Sequence, residues 1–270
     1  LGFSAGFHDA AATVVSPSGD ILFAGHSERY SKHKNDAGMD YGLLHDVDHY
    51  GPVSHVAYYE RPWLKQLRNW YSGQGLDWRN ITAGQVLRRQ LFPYLLGGKT
   101  ISTHNHHLCH AAAGFQTSPF REATVVVIDA IGEWDTISIW GAEYVNGRAR
   151  YTRLWGQKYP HSIGLFYSAM TQRVGLKPNE EEYILMGMAA YGQRSFAALM
   201  AQDYITHEYE IKFGENFHAG VNAGYLNHVR DVDIAAGAQE IAEQLILNVM
   251  MRARQFNWSD NLVYMGGVAL

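Results

Sequence analysis

Four histidines fall within the seven residues HNHHLCH at 104–110. Only His106 and His110 have the i, i+4 spacing that stacks two side chains on one face of a helix. Two imidazoles one helical turn apart form a ligand pair for Zn²⁺ and related ions. The alanines at 111–113 favour that helix, and Gly114 is expected to end it. An isolated pair of this kind is also compatible with a helix face exposed to water. The chain has 14 histidines in 270 residues, and the grouping of four of them within seven residues favours a metal site.

An aspartate follows a strand pattern shortly after these histidines. Residues 124–128, TVVVI, form a β-branched run typical of a strand buried on both faces, and Asp129 stands at its carboxyl end. Ligands in layered α/β proteins bind just beyond such ends. Gly132 lets the backbone approach an anion and Glu133 leads into a second strand, although a plain hairpin has the same residues. The two histidines and Asp129 together predict a three-ligand set for Fe(II), Mn(II) or Zn(II), with positions left open for water, phosphate or substrate.

The elements that must position these ligands follow a repeated pattern. Strand, loop, strand, turn and strand signals succeed one another over residues 1–30 and again over 123–155, an offset of about 120 residues. Each copy has an acid in its first loop, Asp9 and Asp129 respectively. This duplication predicts an α/β fold of the actin-like ATPase (ASKHA) class, with mixed sheets flanked by helices. We expect a first lobe over about 1–120 and a second, incomplete lobe over about 121–270.

Several segments resemble one enzyme family in their order along the chain. HHLCHAAAGFQTSPF followed by VVVIDAIGEWDT is similar to the metal and nucleotide segment of the NodU/CmcH family of O-carbamoyltransferases, which includes the tobramycin carbamoyltransferase. Further matches are FHDAAATVV, HSERYSKHKND, YPHSIGLFYSAMT, EEEYILMGMAAYG and the closing GGVAL. Residues 41–100 and 193–230 match nothing in the family. The resemblance implies the same actin-like fold as the duplication.

The family resemblance also implies a reaction and its cofactors. A second, YrdC-like domain would make carbamoyl-adenylate from carbamoyl phosphate and ATP, and the actin-like domain would transfer the carbamoyl group to a hydroxyl. Fe(II), or Zn or Mn in its place, would be held by His106, His110 and Asp129 and would neutralise the adenylate phosphate. The family's fourth metal ligand, an aspartate, and the YrdC-like domain are expected in a longer polypeptide, outside residues 1–270.

Further site residues are implied in the same way. The catalytic groups at the carbamoyl or phosphate end would be His8 and Lys34. The residues around the nucleotide would be Asp129, Gly132, Glu133, Gly164, Gly266 and Gly267. Substrate contacts are expected from Asp9 and Glu182.

From the residues alone, the polar members of this set also have structural interpretations. His8 and Asp9 would equally cap a hairpin. Lys34 lies in a basic run typical of a solvated loop, and Glu182 is equally typical of a surface acid whose hydrogen bonds are satisfied. For Gly164, core packing competes with the approach of a helix start to a phosphate.

Composition limits the classes of partner. A net charge of -4 and a pI near 6.4 give no basic face for duplex binding, so nucleic acid is expected only as a modified-nucleoside acceptor. The single cysteine, Cys109, cannot form an internal disulfide, and the sequence has neither a signal stretch nor a run of 18 apolar residues. We therefore expect a cytoplasmic protein without a membrane segment and with a small-molecule hydroxyl acceptor.

Two other functions fit the same sequence. A metal-independent actin-like ATPase or kinase would hold Mg-ATP through Asp9 and Asp129, with structural histidines. A non-catalytic nucleotide-binding subunit would bind nucleotide and a partner without carbamoyl transfer. Dependence on His106 and His110, and on carbamoyl phosphate, separates these classes.

Overall fold

The computed structural model describes residues 1–90 and 99–269. The chain divides into two compact units, Leu1–Cys109 and His110–Leu270. The division falls inside one helix, α5 (His106–Thr117), which therefore belongs to both units. The predicted lobe boundary near residue 120 stays a prediction, as does a further domain.

A mixed five-stranded sheet with the order β3-β2-β1-β4-β5 forms the centre of the first unit. Its strands are β1 (Gly2–Ser4), β2 (Ala11–Val15), β3 (Ile21–His26), β4 (His55–Tyr58) and β5 (Thr100–Thr103). The helices of this unit are α1 (Glu28–Ser31), α2 (Tyr41–Asp48), α3 (Pro62–Tyr71) and α4 (Ala83–Gln90). The alternating burial of β2 matches a strand with one face on the core, where its buried residues pack with Leu43 and Val47 of α2. A second core cluster of this unit includes Phe3, Leu44, Val56, Tyr58 and Leu87.

The second unit is built on a four-stranded sheet with the order β11-β6-β7-β8. These strands are β6 (Glu122–Gly132), β7 (Asp135–Val145), β8 (Arg148–Lys158) and β11 (Leu262–Met265). Helices α6 (Ile163–Arg173), α7 (Glu182–Ala189), α8 (Ala197–Tyr204) and α9 (Asp231–Gln255) accompany them, with a small sheet of β9 (Ile205–His207) and β10 (Lys212–Phe213). The buried core runs from Val126 and Ile128 through Phe166 and Met170 to Ile241 and Leu245.

The two sheets have the same pairing plan. In the first, β1 is antiparallel to β2, β2 is antiparallel to β3, and β1 is parallel to β4. In the second, β6 is antiparallel to β7, β7 is antiparallel to β8, and β6 is parallel to β11. The second sheet therefore repeats the first four strands of the first. This repeat confirms the predicted α/β class with mixed sheets flanked by helices. Among the described residues, the second sheet has no strand that corresponds to β5.

The prediction that Gly114 ends the histidine helix is wrong. α5 continues to Thr117, and Gly114 lies within it. A Cβ atom at Gly114 would lie 2.5 Å from Met265 Cγ and 2.7 Å from Val263 Cγ1. The missing side chain thus lets the helix pack closely against β11, which is the parallel neighbour of β6.

The prediction that the buried strand ends at Asp129 also needs correction. β6 continues past Asp129 to Gly132, which pairs with Asp135 of β7. The register shifts between Ile128 and Gly132, so Asp129 lies in an irregular stretch of the hairpin. Such irregularities bend a strand and re-aim its side chains.

Among the helices of the described residues, none combines the length and apolar character needed to cross a membrane.

Candidate metal centre

The start of α5 places both histidines. The Asn105 side chain accepts a hydrogen bond from the Leu108 backbone N–H at 2.9 Å, and the Asn105 carbonyl accepts from the Cys109 N–H at 3.0 Å. Asparagine is a preferred residue for capping a helix N-terminus in this way. His106 is therefore the first residue of the helix and His110 lies one turn later, on the same face.

Asp129 faces the second of these histidines from β6. Its Oδ2 lies 3.4 Å from His110 Nε2, and its Oδ1 accepts a hydrogen bond from the Ala130 N–H at 2.8 Å. The Asp129 side chain is only 16% exposed and that of His110 is 31% exposed, so little water screens their interaction. One carboxylate oxygen is thus fixed by the backbone while the other faces the imidazole.

The helix and the strand together bring three metal-type ligands close to one another. One ligand atom from each of His106, His110 and Asp129 lies within 4.8 Å of the other two. All three residues are half-buried. Two imidazoles and one carboxylate are a donor set that suits Fe(II), Zn(II) and Mn(II). The residues present therefore fit the metal that the sequence implied. The His106 ring also meets the ring of Tyr59 edge-on, with centroids 5.2 Å apart.

The glycines expected around a nucleotide pack against the backbone beside Asp129. A Cβ at Gly164 would lie 2.7 Å from Ala130 Cα, and a Cβ at Gly266 would lie 2.2 Å from the Ile128 carbonyl oxygen. At Gly267 a Cβ would lie 3.0 Å from Asp129 Oδ1. These glycines let the start of α6 and the loop after β11 close on β6 at the position of the acid. A direct role in nucleotide binding stays a prediction.

The hairpin tip after Asp129 holds two more of the predicted residues. Gly132 is buried and is the last residue of β6. Glu133 has a φ of 59° and is only 3% exposed, which is uncommon for an acid in the left-handed region. The structure therefore places both residues in a tight, buried turn. Their contact with a nucleotide is untested.

His8, Asp9 and Lys34 lie in the first unit. His8 Nδ1 and Asp9 Oδ2 are 2.8 Å apart, and Asp9 has a φ of 51°. Both side chains are well exposed, at 45% and 39%. Lys34 is exposed in the loop after α1. The structure thus pairs His8 with Asp9, and the catalytic assignments stay predictions.

Glu182 is the first residue of α7 and already accepts two hydrogen bonds. Its Oε1 accepts from Ser168 Oγ at 2.5 Å and from the Asn179 N–H at 2.6 Å. These bonds tie α7 to α6 and order the turn before α7. They match the structural interpretation of this acid, and a substrate contact stays a prediction.

Sequence reasoning missed Ser162 as a residue that positions Asp129. Its Oγ donates to the Ala130 carbonyl at 2.7 Å and accepts from the Leu165 N–H at 3.1 Å. The same hydroxyl therefore caps α6 and anchors that helix to the irregular stretch of β6. A serine before an apolar helix signals the cap, but no pattern in the sequence reveals the bond to Ala130.

The region that contains the three ligands matches a known protein family. The family model described as carbamoyltransferase N-terminus matches residues 96–270. An uncharacterized protein of Synechocystis sp. is 29% identical over 321 residues, covering 100% of this chain and 50% of the relative. The nodulation protein NolNO of Sinorhizobium fredii is 24% identical over 288 residues, covering 97% of this chain and 41% of the relative.

A third curated relative and one solved structure also match. An uncharacterized protein of Methanocaldococcus jannaschii is 24% identical and covers 97% of this chain and 49% of its own length. The chain thus spans about half the length of the curated relatives it matches. A putative N-acetylmannosamine kinase from Listeria monocytogenes aligns over 99% of this chain and 82% of its own, at 12% identity and a TM-score of 0.41.

Proposed function

The chain belongs to the carbamoyltransferase N-terminus family, and on that premise we propose that it moves a carbamoyl group onto a hydroxyl of a small-molecule or nucleoside acceptor. The donor is carbamoyl-adenylate, made from carbamoyl phosphate and ATP by a YrdC-like domain of the same polypeptide. The proposal is supported most directly by the ligand atoms of His106, His110 and Asp129, which lie within 4.8 Å of one another inside the segment matched by the family model.

These three residues would hold the metal ion. A bound Fe(II), or Zn(II) or Mn(II), supplies positive charge for the phosphate of the adenylate. The chain's own contribution is to keep the ligands in place. Asn105 caps the helix of the two histidines, and the Ala130 N–H fixes one oxygen of Asp129.

The transfer also requires a base for the hydroxyl proton. A bond forms between the acceptor oxygen and the carbamoyl carbon, and the bond from that carbon to the adenylate phosphate breaks, so that AMP leaves with the electron pair. His8 suits the role of base. Because the Asp9 carboxylate can only accept, the 2.8 Å contact places the His8 proton on Nδ1 and leaves Nε2 free to take the hydroxyl proton.

The remaining assignments belong to the same proposal. Lys34 would contact the phosphate or carbamoyl end, and Glu182 would reach the acceptor. Gly132, Glu133 and the glycines packed around Asp129 would border the nucleotide. A natural-product alcohol is one acceptor class, and the cytoplasm is the expected location, since the sequence has one cysteine and so no internal disulfide.

The test separates the two half-reactions in the whole protein supplied with ATP and carbamoyl phosphate. Pyrophosphate release reports adenylate formation, and AMP release with a panel of alcohols reports transfer. His110→Ala and His8→Gln should each keep pyrophosphate release and slow the transfer about 100-fold or more. His228→Gln, which changes an exposed histidine elsewhere, is the control and should match the parent.

Two outcomes contradict the proposal. Transfer at parental rate in His110→Ala would remove the metal site from the reaction. ATP turnover with magnesium that requires neither carbamoyl phosphate nor the two helix histidines would instead favour an actin-like ATPase or kinase.

A further inference from the structure

The C-terminal end of α2 carries a second group of metal-type ligands. One ligand atom from each of His45, Asp46 and His49 lies within 4.8 Å of the other two. His45 and His49 have the same i, i+4 spacing as the helix pair described above, and their rings meet edge-on with centroids 4.7 Å apart. Cations are favoured at a helix C-terminus because the backbone carbonyls there carry partial negative charge.

Hydrogen bonding prepares His49 to act as a ligand. Its Nδ1 lies 2.9 Å from the His45 backbone carbonyl oxygen. A carbonyl can only accept, so Nδ1 carries the proton and Nε2 keeps a free lone pair. A ring nitrogen held by a backbone carbonyl in this way is the usual arrangement behind a metal-bound histidine.

Asp46 is oriented by a neighbour from the first helix. Its Oδ2 accepts a hydrogen bond from the Tyr30 hydroxyl at 2.6 Å. A carboxylate can only accept, so the Tyr30 hydroxyl is the donor in this bond. The other oxygen, Oδ1, lies 3.7 Å from His45 Nδ1. Two ligands on one tetrahedral zinc ion are about 3.3 Å apart, so only small side-chain rotations would bring these atoms to a metal.

An open surface pocket beside these residues leaves room for further ligands. It has a volume of about 200 Å³ and is lined by Phe23, Asp46, His49 and Tyr50. A water molecule takes about 30 Å³ in the liquid, so this space accommodates several. The aromatic rings of Phe23 and Tyr50, with centroids 5.7 Å apart, form its apolar side. Coordination positions that the protein does not fill are therefore open to water.

We propose that His45, Asp46 and His49 form a divalent transition-metal site of the zinc class in the first unit. Two imidazoles and one carboxylate favour Zn²⁺, Ni²⁺ or Cu²⁺ over Mg²⁺ and Ca²⁺, which prefer all-oxygen sites. The His45 side chain is 72% exposed, so the site is open to metal ions from the solvent. This site is independent of the proposed function.

The experiment measures zinc binding to the 270-residue chain in a His110→Ala background, which removes a ligand of the other centre. Calorimetric titration with ZnCl₂ should give one equivalent of micromolar affinity. Adding His49→Ala should weaken it at least tenfold, and adding His228→Gln should leave it unchanged. Circular dichroism confirms that each variant is folded.

A second measurement locates the site. Zinc should protect His45 and His49 from modification by diethyl pyrocarbonate, as read by mass spectrometry, and magnesium should not. The proposal is overturned if the His110→Ala chain binds no zinc at about 100 micromolar. It is equally overturned if His49→Ala leaves the affinity unchanged, or if zinc protects only histidines outside 45–49.

Discussion

Replacing Gly114 with alanine sets two opposing effects against each other inside the helix of the two histidines. Alanine is a better helix former than glycine by about 1 kcal/mol. However, the new Cβ would lie 2.5 Å from Met265 Cγ, 2.7 Å from Met265 Sδ and 2.7 Å from Val263 Cγ1. Met265 can turn its flexible side chain aside, but the branched Val263 on β11 has less freedom.

The cost of the close contact at Gly114 is measured against a glycine in the same unit that has no close contact. Gly187 lies within α7, and a Cβ there would meet nothing within 4 Å. Gly187→Ala should therefore stabilise the chain by about 1 kcal/mol. Gly114→Ala should gain the same helix term but lose about 1–3 kcal/mol to overpacking. The free energy of unfolding should thus differ by about 1–3 kcal/mol between the two variants, in favour of Gly187→Ala.

Urea unfolding of the two variants and the parent measures this difference. Gly114→Ala should also weaken metal binding, because a shift of the helix away from β11 moves its histidines relative to Asp129. If Gly114→Ala is stabilised as much as Gly187→Ala, the close packing of α5 on β11 is wrong. The placement of the two imidazoles against Asp129 would then lose its support.

Three further substitutions test other contacts. Arg153 binds both oxygens of Asp135 at 2.7 and 2.9 Å, and Asp135 is 4% exposed. Because Arg153→Ala leaves this buried carboxylate unpaired, while the Arg153 side chain itself is 36% exposed, the free energy of unfolding should fall by about 1–3 kcal/mol in urea titration. Gly164→Ala places a Cβ 2.7 Å from Ala130 Cα, which cannot turn aside, and should cost more stability than Gly114→Ala in the same assay. Burial, and then a nearby lysine, lower the pKa of His161 below its usual 6.5. The unfolded state therefore takes up this proton at a higher pH than the folded state, and the free energy of unfolding falls as the pH drops below about 6.5. His161→Gln should reduce this slope of stability against pH, and an unchanged slope would contradict the lowered pKa.

The sequence predicted the duplicated sheets because strand signals are local. The β-branched run before Asp129 and the turn at Asn146 and Gly147 are visible without any partner strand, and both turn residues have positive φ, at 51° and 76°. Spacing likewise placed His106 and His110 on one helix face. These features depend on periods of two and 3.6 residues, which a single chain displays directly.

Features that depend on distant neighbours could not be predicted in this way. Gly114 was interpreted as a helix end because its contact, Met265, comes from a strand near the other end of the sequence. The irregular stretch at Asp129 leaves no mark on the pattern, because a register shift is a property of the pair of strands. The i, i+4 spacing of His45 and His49 is visible in the sequence, but the approach of Asp46 to these histidines and its bond to Tyr30 are not.

Metal analysis of the chain purified without oxygen tests the central claim most directly. The parent should contain about one equivalent of iron or zinc that survives gel filtration and dialysis. His110→Ala, checked for folding by circular dichroism, should lose it, and His228→Gln should retain it. Equal metal content in the parent and in folded His110→Ala would contradict the assignment of His106, His110 and Asp129 as the metal centre.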